Sequence, residues 1–372
     1  MKILHTLPAL NRGGTERFVL TLANHQQKHG HEVVVATFDH TNHWPSESSH
    51  LRIETFHCSR AIHRFLRQPD HDAHGFTLFL KDFKPDIIHS HSHWTSLIVN
   101  ACPRQPATYI QHFHLEYPEW ESSDRLFQRK NLGRWQLTLT SLLRRTSFIA
   151  VSETTDKYYR KNLPPPLLPR LSRLPNFLGL PSRSVPRTRW HEPLRVLSVG
   201  RLVAVKRHFS LLALARSLIS RGLNFSITIV GEGPLAPDLE LEIEKAGLQD
   251  KIRLAGIRAD MIQCYEDADI LVHPALEESF GLVILEAMSR GLPCIVEEEC
   301  FGPKEFLNPG KDSLAASFSN PEGVANIIQR ILASKSYFQT ISANAIATSK
   351  KFSLEVYWNR LAPIYGEERR SC

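Results

Sequence analysis

Residues 2–38, KILHTLPALNRGGTERFVLTLANHQQKHGHEVVVATF, decide the architecture. KILHTLPA is an apolar run that reads as a buried strand. It runs into NRGGTER, after which Phe18, Val19, Leu22 and Ala23 recur at helical spacing until Gly30 supplies a stop. HEVVVATF is a second strand. Short apolar strands alternating with helices continue through PDIIHSH (85–91), ATYIQHF (107–113) and SFIAVSE (147–153). Such alternation predicts a parallel sheet with helices on both faces.

The texture changes between 163 and 193, where eight prolines (164, 165, 166, 169, 175, 181, 186 and 193) leave no periodicity apart from the short run RLPNF. That stretch reads as a linker. Beyond it the pattern restarts: LRVLSVGRL, a helix from about 206 to 221, FSITIVGEG, a helix over 235–247, KIRLAG, a helix over 259–267, DILVHPA, a helix from about 281 to 290, and PCIVEE. A second doubly wound domain is therefore expected. The tail from about 321 is helical, and Phe352, Val356, Tyr357, Leu361 and Ile364 give its last helix an apolar stripe. The expected domains are 1–186 and 187–351, with a final helix over 352–372 that crosses back to the first.

A chain of 372 residues is too long for one ordinary core, and 42% hydrophobic with 22% charged residues belongs to a folded protein rather than a disordered one. The N-terminus lacks a long apolar stretch with a small-residue cleavage site, and no run approaches 20 apolar residues. A cytoplasmic protein without a membrane span is expected. Six scattered cysteines with no CxxC pair indicate neither a zinc ribbon nor a disulfide framework, and they read as buried free thiols.

Charge is unevenly placed. Residues 1–186 carry 23 Lys+Arg against 15 Asp+Glu, a balance of +8, whereas the remainder carries 22 against 23. Histidine follows the same split, with 16 of 19 before residue 187. Three partners fit the basic half: an anionic bilayer, a lipid diphosphate, or a phosphorylated saccharide. No recognition motif for nucleic acid accompanies it. Residues 123–145 are basic with an apolar component, and they suit either a helix packed before strand SFIAV or one resting on an anionic membrane surface.

In open parallel sheets ligands bind beyond the carboxyl ends of strands, so chemistry is sought there. After the strand ending at Ala275 come Glu277, Glu278, Ser279, Phe280 and Gly281, and then a helix bearing Glu286. Glu278 in the loop and Glu286 about a turn into the helix can face one ligand, and the backbone amides around Gly281 favour phosphate. A helix carboxylate suits a ribose diol; one in the loop suits a sugar hydroxyl or a developing positive charge. The bland reading is a solvated acidic loop. Gly231, Gly233 and Ala236 fit a dinucleotide fingerprint, but no acidic ribose ligand follows and Pro234 interrupts it, so a dehydrogenase is not indicated.

The string EESFGLVILEAMSRGLPCI (277–295) resembles the donor site of the GT-B retaining glycosyltransferases known as family 4. GGTER near the N-terminus, VSE at 151–153, RLPNF, SVGRLVAVKR (resembling "v-G-R-L-x-x-x-K-G"), IVGEGP and GPKEF at 302–306 agree with the same family in order. The resemblance implies two Rossmann-like parallel-sheet domains facing across a cleft, the first binding the acceptor and the second the nucleotide-sugar donor.

It also assigns roles. Arg201 and Lys206 are implied for the donor diphosphate, where two cations beside helix N-termini neutralise the leaving group. Glu286 is implied as the ribose ligand and Glu278 as the residue beneath the transferred sugar. Ser279, Phe280, Gly281, Leu282 and Val283 offer backbone contacts, Arg258 lies where the family holds the base, and the loop at Gly231 lies near the donor. Gly13 and Gly14 form a turn whose amides approach phosphate or sugar. A histidine that contacts the donor sugar is assigned to His112, with His114 as the alternative because the sequence reads QHFH. His89, His91 and His93 alternate, a pattern that would suit a metal, but metal is not the family's habit and none is expected.

The implied activity is metal-independent, retaining transfer of a sugar from a nucleotide-diphosphate donor, UDP- or GDP-linked, with no cofactor. The acceptor is a saccharide, lipid-linked or phosphorylated glycan in bacterial lipopolysaccharide, capsule or exopolysaccharide synthesis. The expected location is cytoplasmic, with peripheral attachment to the inner face of the membrane. The competing readings are a noncatalytic sugar-nucleotide or membrane-surface binding protein on the same scaffold, and a storage-glucan or small-sugar synthase.

Overall fold

The computed structural model describes residues 1–57, 74–114 and 145–367. The chain forms two compact units, Met1–Gly179 with Leu354–Cys372, and Leu180–Ser353. Unit one holds strands β1 (Lys2–Leu7), β2 (Glu32–Thr37), β3 (Arg52–Thr55), β4 (Ile87–Ser90), β5 (Thr108–Phe113), β6 (Thr146–Ala150) and β7 (Leu171–Arg173). Its helices are α1 (Gly14–Lys28), α2 (Pro45–Ser48), α3 (His74–Phe83), α4 (His93–Ala101) and α5 (Glu153–Asn162). Unit two holds β8 (Leu194–Val199), α6 (Ser210–Ser220), β9 (Phe225–Val230), α7 (Ala236–Lys245), β10 (Ile252–Leu254), α8 (Met261–Asp267), β11 (Ile270–His273), α9 (Leu282–Ser289), β12 (Cys294–Glu297), β13 (Leu314–Ala316), α10 (Pro321–Leu332) and α11 (Lys335–Lys350). The last helix, α12 (Leu354–Glu367), belongs to unit one.

Both sheets are parallel and doubly wound. The first runs β3-β2-β1-β4-β5-β6-β7 and the second β10-β9-β8-β11-β12-β13. Strand order reverses between β1 and β4 in one and between β8 and β11 in the other, so each unit has its own switch-point crevice beyond those strand ends. Short β3 and β13 and helix α3 extend the elements read from the sequence. The proline-rich stretch is partly sheet, because Leu171–Arg173 pairs with β6 as an edge strand, where one side of the ladder needs no partner. The basic stretch 123–145 lies outside the described residues except for Arg145.

Against expected limits at 186/187 and 351/352, the units divide at Gly179/Leu180 and Ser353/Leu354. Arg183 and Arg187 explain the first. The Arg183 amide donates to the Ser289 carbonyl (2.8 Å), and the buried Arg187 guanidinium donates to the carbonyls of Tyr265 (2.6 Å), Ala268 (2.5 Å) and Arg290 (2.9 Å), all in unit two.

The core of unit one changes character along its strands. On the face covered by α1 and α12, β1, β4 and β5 each place an isoleucine and then a histidine two residues on: Ile3 and His5, Ile87 and His89, Ile110 and His112. The isoleucines pack with Phe18, Leu22, Tyr357 and Leu361 in one apolar cluster. The opposite face packs Leu4, Val34 and Ile88 on Phe76, Leu80 and Ile98. A layer of buried imidazoles therefore caps the apolar layer where the strands end, joined by His91 and His114 just beyond β4 and β5.

In unit two, α6 begins at Ser210 rather than near 206. Ala204–Lys206 is a single 3-10 turn, and Arg207 then takes the left-handed conformation (φ 52°), a position where the resembled family pattern has glycine. Its guanidinium compensates: Nη1 lies 2.9 Å from Oε2 of Glu297, a carboxylate only 1% exposed that also accepts the Phe318 amide (3.0 Å). Replacing Arg207 with Gly relieves about 1 kcal/mol of left-handed strain but strands Glu297, a loss of about 3–5 kcal/mol for a fully buried pair. Because Arg207 is partly exposed, the net expectation is a destabilisation of unit two by about 2 kcal/mol, read from its denaturant midpoint, with partial recovery on adding Glu297→Gln.

The imidazole layer makes unit one acid-sensitive. Burial lowers the pKa of His5 to about 4 and of His114 to about 3, and holds His89, His91 and His112 well below 6.5. Below pH 6.5 the unfolded chain takes up protons that the folded rings refuse, so stability falls as pH falls. Each ring contributes about 1.4 kcal/mol per pH unit, and one unit below 6.5 the five together approach about 5–7 kcal/mol, comparable to a domain's whole stability of about 5–15 kcal/mol. Hydrogen exchange followed from pH 7 to 4.5 should show unit one losing protection first.

Candidate functional site

In unit two the switch point brings together three charged or polar groups from separate elements. Glu278, in the loop between β11 and α9, sits with Oε1 2.6 Å from Lys206 Nζ and 3.0 Å from Nε2 of His273, the last residue of β11. Lys206 also donates to the Glu277 carbonyl (3.0 Å). Burial alone would raise the Glu278 pKa, but the His273 hydrogen bond and the Lys206 charge outweigh it and bring it down to about 2. Glu278 is thus an ionised carboxylate held by two donors. His273 is 2% exposed, and its Nδ1 has no hydrogen-bond partner.

Helix α9 starts beside this pair. Its N-cap, Gly281, is left-handed (φ 91°) and provides no capping side chain, so the amides of Leu282 and Val283 are presented by backbone alone. A Cβ at Gly281 would also lie 2.8 Å from Pro303. The Phe280 side chain points into the core against Phe306 and Phe352, leaving its backbone, with that of Ser279, at the loop. Glu286 is 7% exposed and accepts from the Tyr265 hydroxyl at 2.8 Å. Gly231 meets Gly200 so closely that any Cβ would overlap its carbonyl, which docks the loop after β9 against the Gly200–Arg201 turn. Arg201 is exposed on that turn.

Arg258 lies in the loop whose Gly256 carbonyl accepts the Gly231 amide at 2.9 Å. It lines a groove of about 490 Å³ with Arg195, Thr228, Arg253 and Cys264, and the lining contains none of Arg201, Lys206, Glu278 or Glu286. The groove follows the sheet face bearing the polar positions of β9, whose burial alternates along FSITIV.

In unit one, Gly13 is the N-cap of α1 and Gly14 its first residue. The Glu16 carboxylate folds back over Gly13 and occupies the space of its missing side chain. Burial raises the Glu16 pKa. With an acid seated there, the turn is better matched to hydroxyl groups than to a phosphate.

The imidazole layer lies at the switch point between β1 and β4. His114 Nε2 meets His91 Nδ1 (3.0 Å), His91 Nε2 meets His5 Nδ1 (3.0 Å), and His5 Nε2 meets Gln26 Oε1 (2.7 Å). Gln26 Nε2 donates to the Tyr365 hydroxyl (2.7 Å), which contacts His89 Nε2 (2.7 Å), and His89 Nδ1 meets His112 Nε2 (2.9 Å). His112 is 1% exposed and its Nδ1 has no partner among the described residues, whereas His114 at 6% is the least buried of the five rings.

Two trios, His5 with His89 and His91, and His91 with His112 and His114, bring nitrogens within 4.8 Å, close enough for a metal ion. Their rings are stacked, His5 on His89 at 8° and His112 on His114 at 14°. Lone pairs in near-parallel planes do not converge on one point, and apart from His112 Nδ1 the inner nitrogens are engaged with each other. His93 does not join the row suggested by its alternation with His89 and His91, because β4 ends at Ser90 and α4 starts at His93. Its ring bonds Tyr159 (2.8 Å) and Gln111 (3.0 Å) instead.

His273, Tyr265, Glu16, Gln26 and Tyr365 were not among the residues singled out from the sequence. His273 had a usable signal, since a histidine closing a strand four residues before Glu277 is within reach of the acidic loop. Cys102, Cys294 and Cys300 are buried and Cys264 is partly so, all as free thiols. Among the described residues, no helix is long and apolar enough to cross a membrane.

Residues 12–178 match the family described as Glycosyltransferase Family 4, and residues 185–348 match Glycosyl transferases group 1. The chain is 31% identical over 179 residues to an alpha-D-kanosaminyltransferase of Streptomyces kanamyceticus, covering 46% of this chain and 45% of that one. It is 28% identical over 183 residues to the amylovoran biosynthesis glycosyltransferase AmsK of Erwinia amylovora, covering 47% and 45%. These alignments span less than half the length of the curated relatives. In fold it is similar to Anabaena Alr3699/HepE, solved in complex with UDP and glucose, with a TM-score of 0.76, 19% identity and 98% of each chain covered. Two doubly wound parallel-sheet units, and two family matches that between them take in most of the sequence, mean that the chain belongs to the GT-B glycosyltransferases of family 4.

Proposed function

We propose that the chain transfers a glycosyl group from a nucleoside-diphosphate sugar to a saccharide or lipid-linked acceptor, with retention of anomeric configuration and without a metal ion. The observation that carries this reading is the Glu278–Lys206–His273 contact beside the start of α9. A carboxylate and an ammonium 2.6 Å apart suit the junction of a sugar and a diphosphate. Lys206, with Arg201 and the α9 amides, takes the negative charge that grows on the leaving diphosphate. Glu278 is left to accept from a sugar hydroxyl or oppose positive charge at the anomeric carbon, and His273 keeps it ionised and aimed. Glu286, steadied by Tyr265, offers a carboxylate for the ribose diol. A donor phosphate oxygen assists deprotonation of the acceptor on the same face, so no protein nucleophile is needed. HepE, the fold neighbour solved with UDP and glucose, supports a uridine donor.

The basic excess of residues 1–186 fits an acceptor that carries phosphate or is presented at an anionic membrane surface, as in synthesis of a bacterial surface or secreted polysaccharide. The relationship to AmsK points the same way.

Nucleotide released from UDP-, GDP- and ADP-sugars, with and without acceptor extracts, tests the reading. Glu278→Gln and Lys206→Ala should each lower turnover by about 10²- to 10³-fold with the circular dichroism spectrum unchanged, and EDTA should have no effect. Full activity in both variants, or an inverted anomer in the product, would overturn it.

A further inference from the structure

The buried histidine chain in unit one has a direction. Every member is neutral near pH 7, since burial lowers the pKa of each ring and raises that of Tyr365. A neutral imidazole has one N–H and one lone pair, so each link dictates the next. The Gln26 amide is the asymmetric member, with its oxygen on His5 and its nitrogen on Tyr365.

Both directions from Gln26 then resolve. Its oxygen requires His5 to carry Nε2–H, leaving His5 Nδ1 to accept from His91 Nε2–H. His91 Nδ1 is then bare and accepts from His114 Nε2–H. On the other side the amide donates to the Tyr365 oxygen, so the Tyr365 hydrogen goes to His89 Nε2, and His89 Nδ1–H goes to His112 Nε2. The two ends differ. His114 finishes with a bare Nδ1, and His112 with an Nδ1–H that is buried and has no partner. Reversing the chain would require the amide to flip, a proton to enter at His114 and a proton to leave from that sealed nitrogen.

We propose that Gln26 and Tyr365 are positioning residues that hold this chain in one hydrogen-bond direction, so that His114 meets its ligand through an unprotonated Nδ1. His114 then accepts from a hydroxyl and disfavours a carbonyl or carboxylate at the same point, where lone pair would face lone pair. The consequence for the ligand rests on the reading of the protein as a sugar transferase; the tautomers themselves do not.

The test is ¹⁵N NMR of the full chain labelled at histidine, without substrate, with resonances assigned by single His→Asn changes. His5, His91 and His114 should be Nε2–H tautomers, and His89 and His112 Nδ1–H tautomers. Gln26→Glu replaces the amide donor with an acceptor. Tyr365 must then donate to residue 26 and accept from His89, so His89 and His112 should invert while His5, His91 and His114 stay unchanged. Tyr365→Phe, which removes only a hydroxyl, should release His89 and His112 into mixed tautomers and leave His114 unchanged. A wild-type His114 bearing Nδ1–H overturns the proposal. So do variants that leave His89 and His112 unmoved. The stated tautomers in a chain that transfers no sugar would sink the proposed activity and leave this inference standing.

Discussion

A buried imidazole is costly unless its N–H finds a partner, and unit one concentrates five at the carboxyl ends of β1, β4 and β5, of which all but His112 find one. That requirement organises the rest of the unit. Strand pairing alone cannot satisfy it, because the strands' own polar groups are used in the ladder. Two helices supply what is missing: α1 contributes Gln26 and α12 contributes Tyr365, partners 339 residues apart in sequence. Removing α12 would expose the apolar cluster around Tyr357 and Leu361 and also open the hydrogen-bond chain in its middle. Fold and site therefore share the same side chains.

Unit two meets the same demand with charge. Glu278 is satisfied by Lys206 and His273, Glu297 by Arg207, and Glu286 by Tyr265. In each case the carboxylate and its partner come from different elements, so the contact holds loop to strand or, for Glu286 and Tyr265, helix to helix. Neighbouring donors keep Glu278 ionised, whereas burial keeps the unit-one rings neutral. One unit thus presents fixed charges beyond its strands, and the other presents directional but uncharged groups.

The parallel sheets were legible because strands covered on both faces appear as unbroken apolar runs, such as EVVVAT and CIVE. Short edge pieces were not. RIET in β3 and LSR in β7 lack such a run and hold their places through pairing on one side. Glu278, Glu286 and Lys206 could be found because they lie in a local pattern, in a loop and a helix start that follow a recognisable strand. His112 was preferred to His114, and the pattern alone gave no ground for that order. A period of two puts them on one face without saying which is deeper, and that depends on where β5 ends and on how closely Phe18 and its neighbours cover it. Gln26 and Tyr365 were illegible for another reason: each looks like an ordinary helix residue until the fold brings them together.

The basic excess of the first half fits an anionic partner, and the local chemistry at its strand ends points elsewhere. Glu16 lies over the Gly13–Gly14 turn, and the five rings carry no charge near neutral pH. An anion placed there would meet a carboxylate and lone pairs. A hydroxyl would find acceptors. Arg201 and Lys206 are in unit two, with Lys206 held by the loop that leads into an uncapped helix start. Net charge acts over a Debye length of about 8–10 Å and steers whole molecules, while hydrogen-bond polarity acts at about 3 Å and selects single groups. A basic excess over residues 1–186 and strand ends that favour an uncharged hydroxyl are therefore compatible, because they act at different ranges.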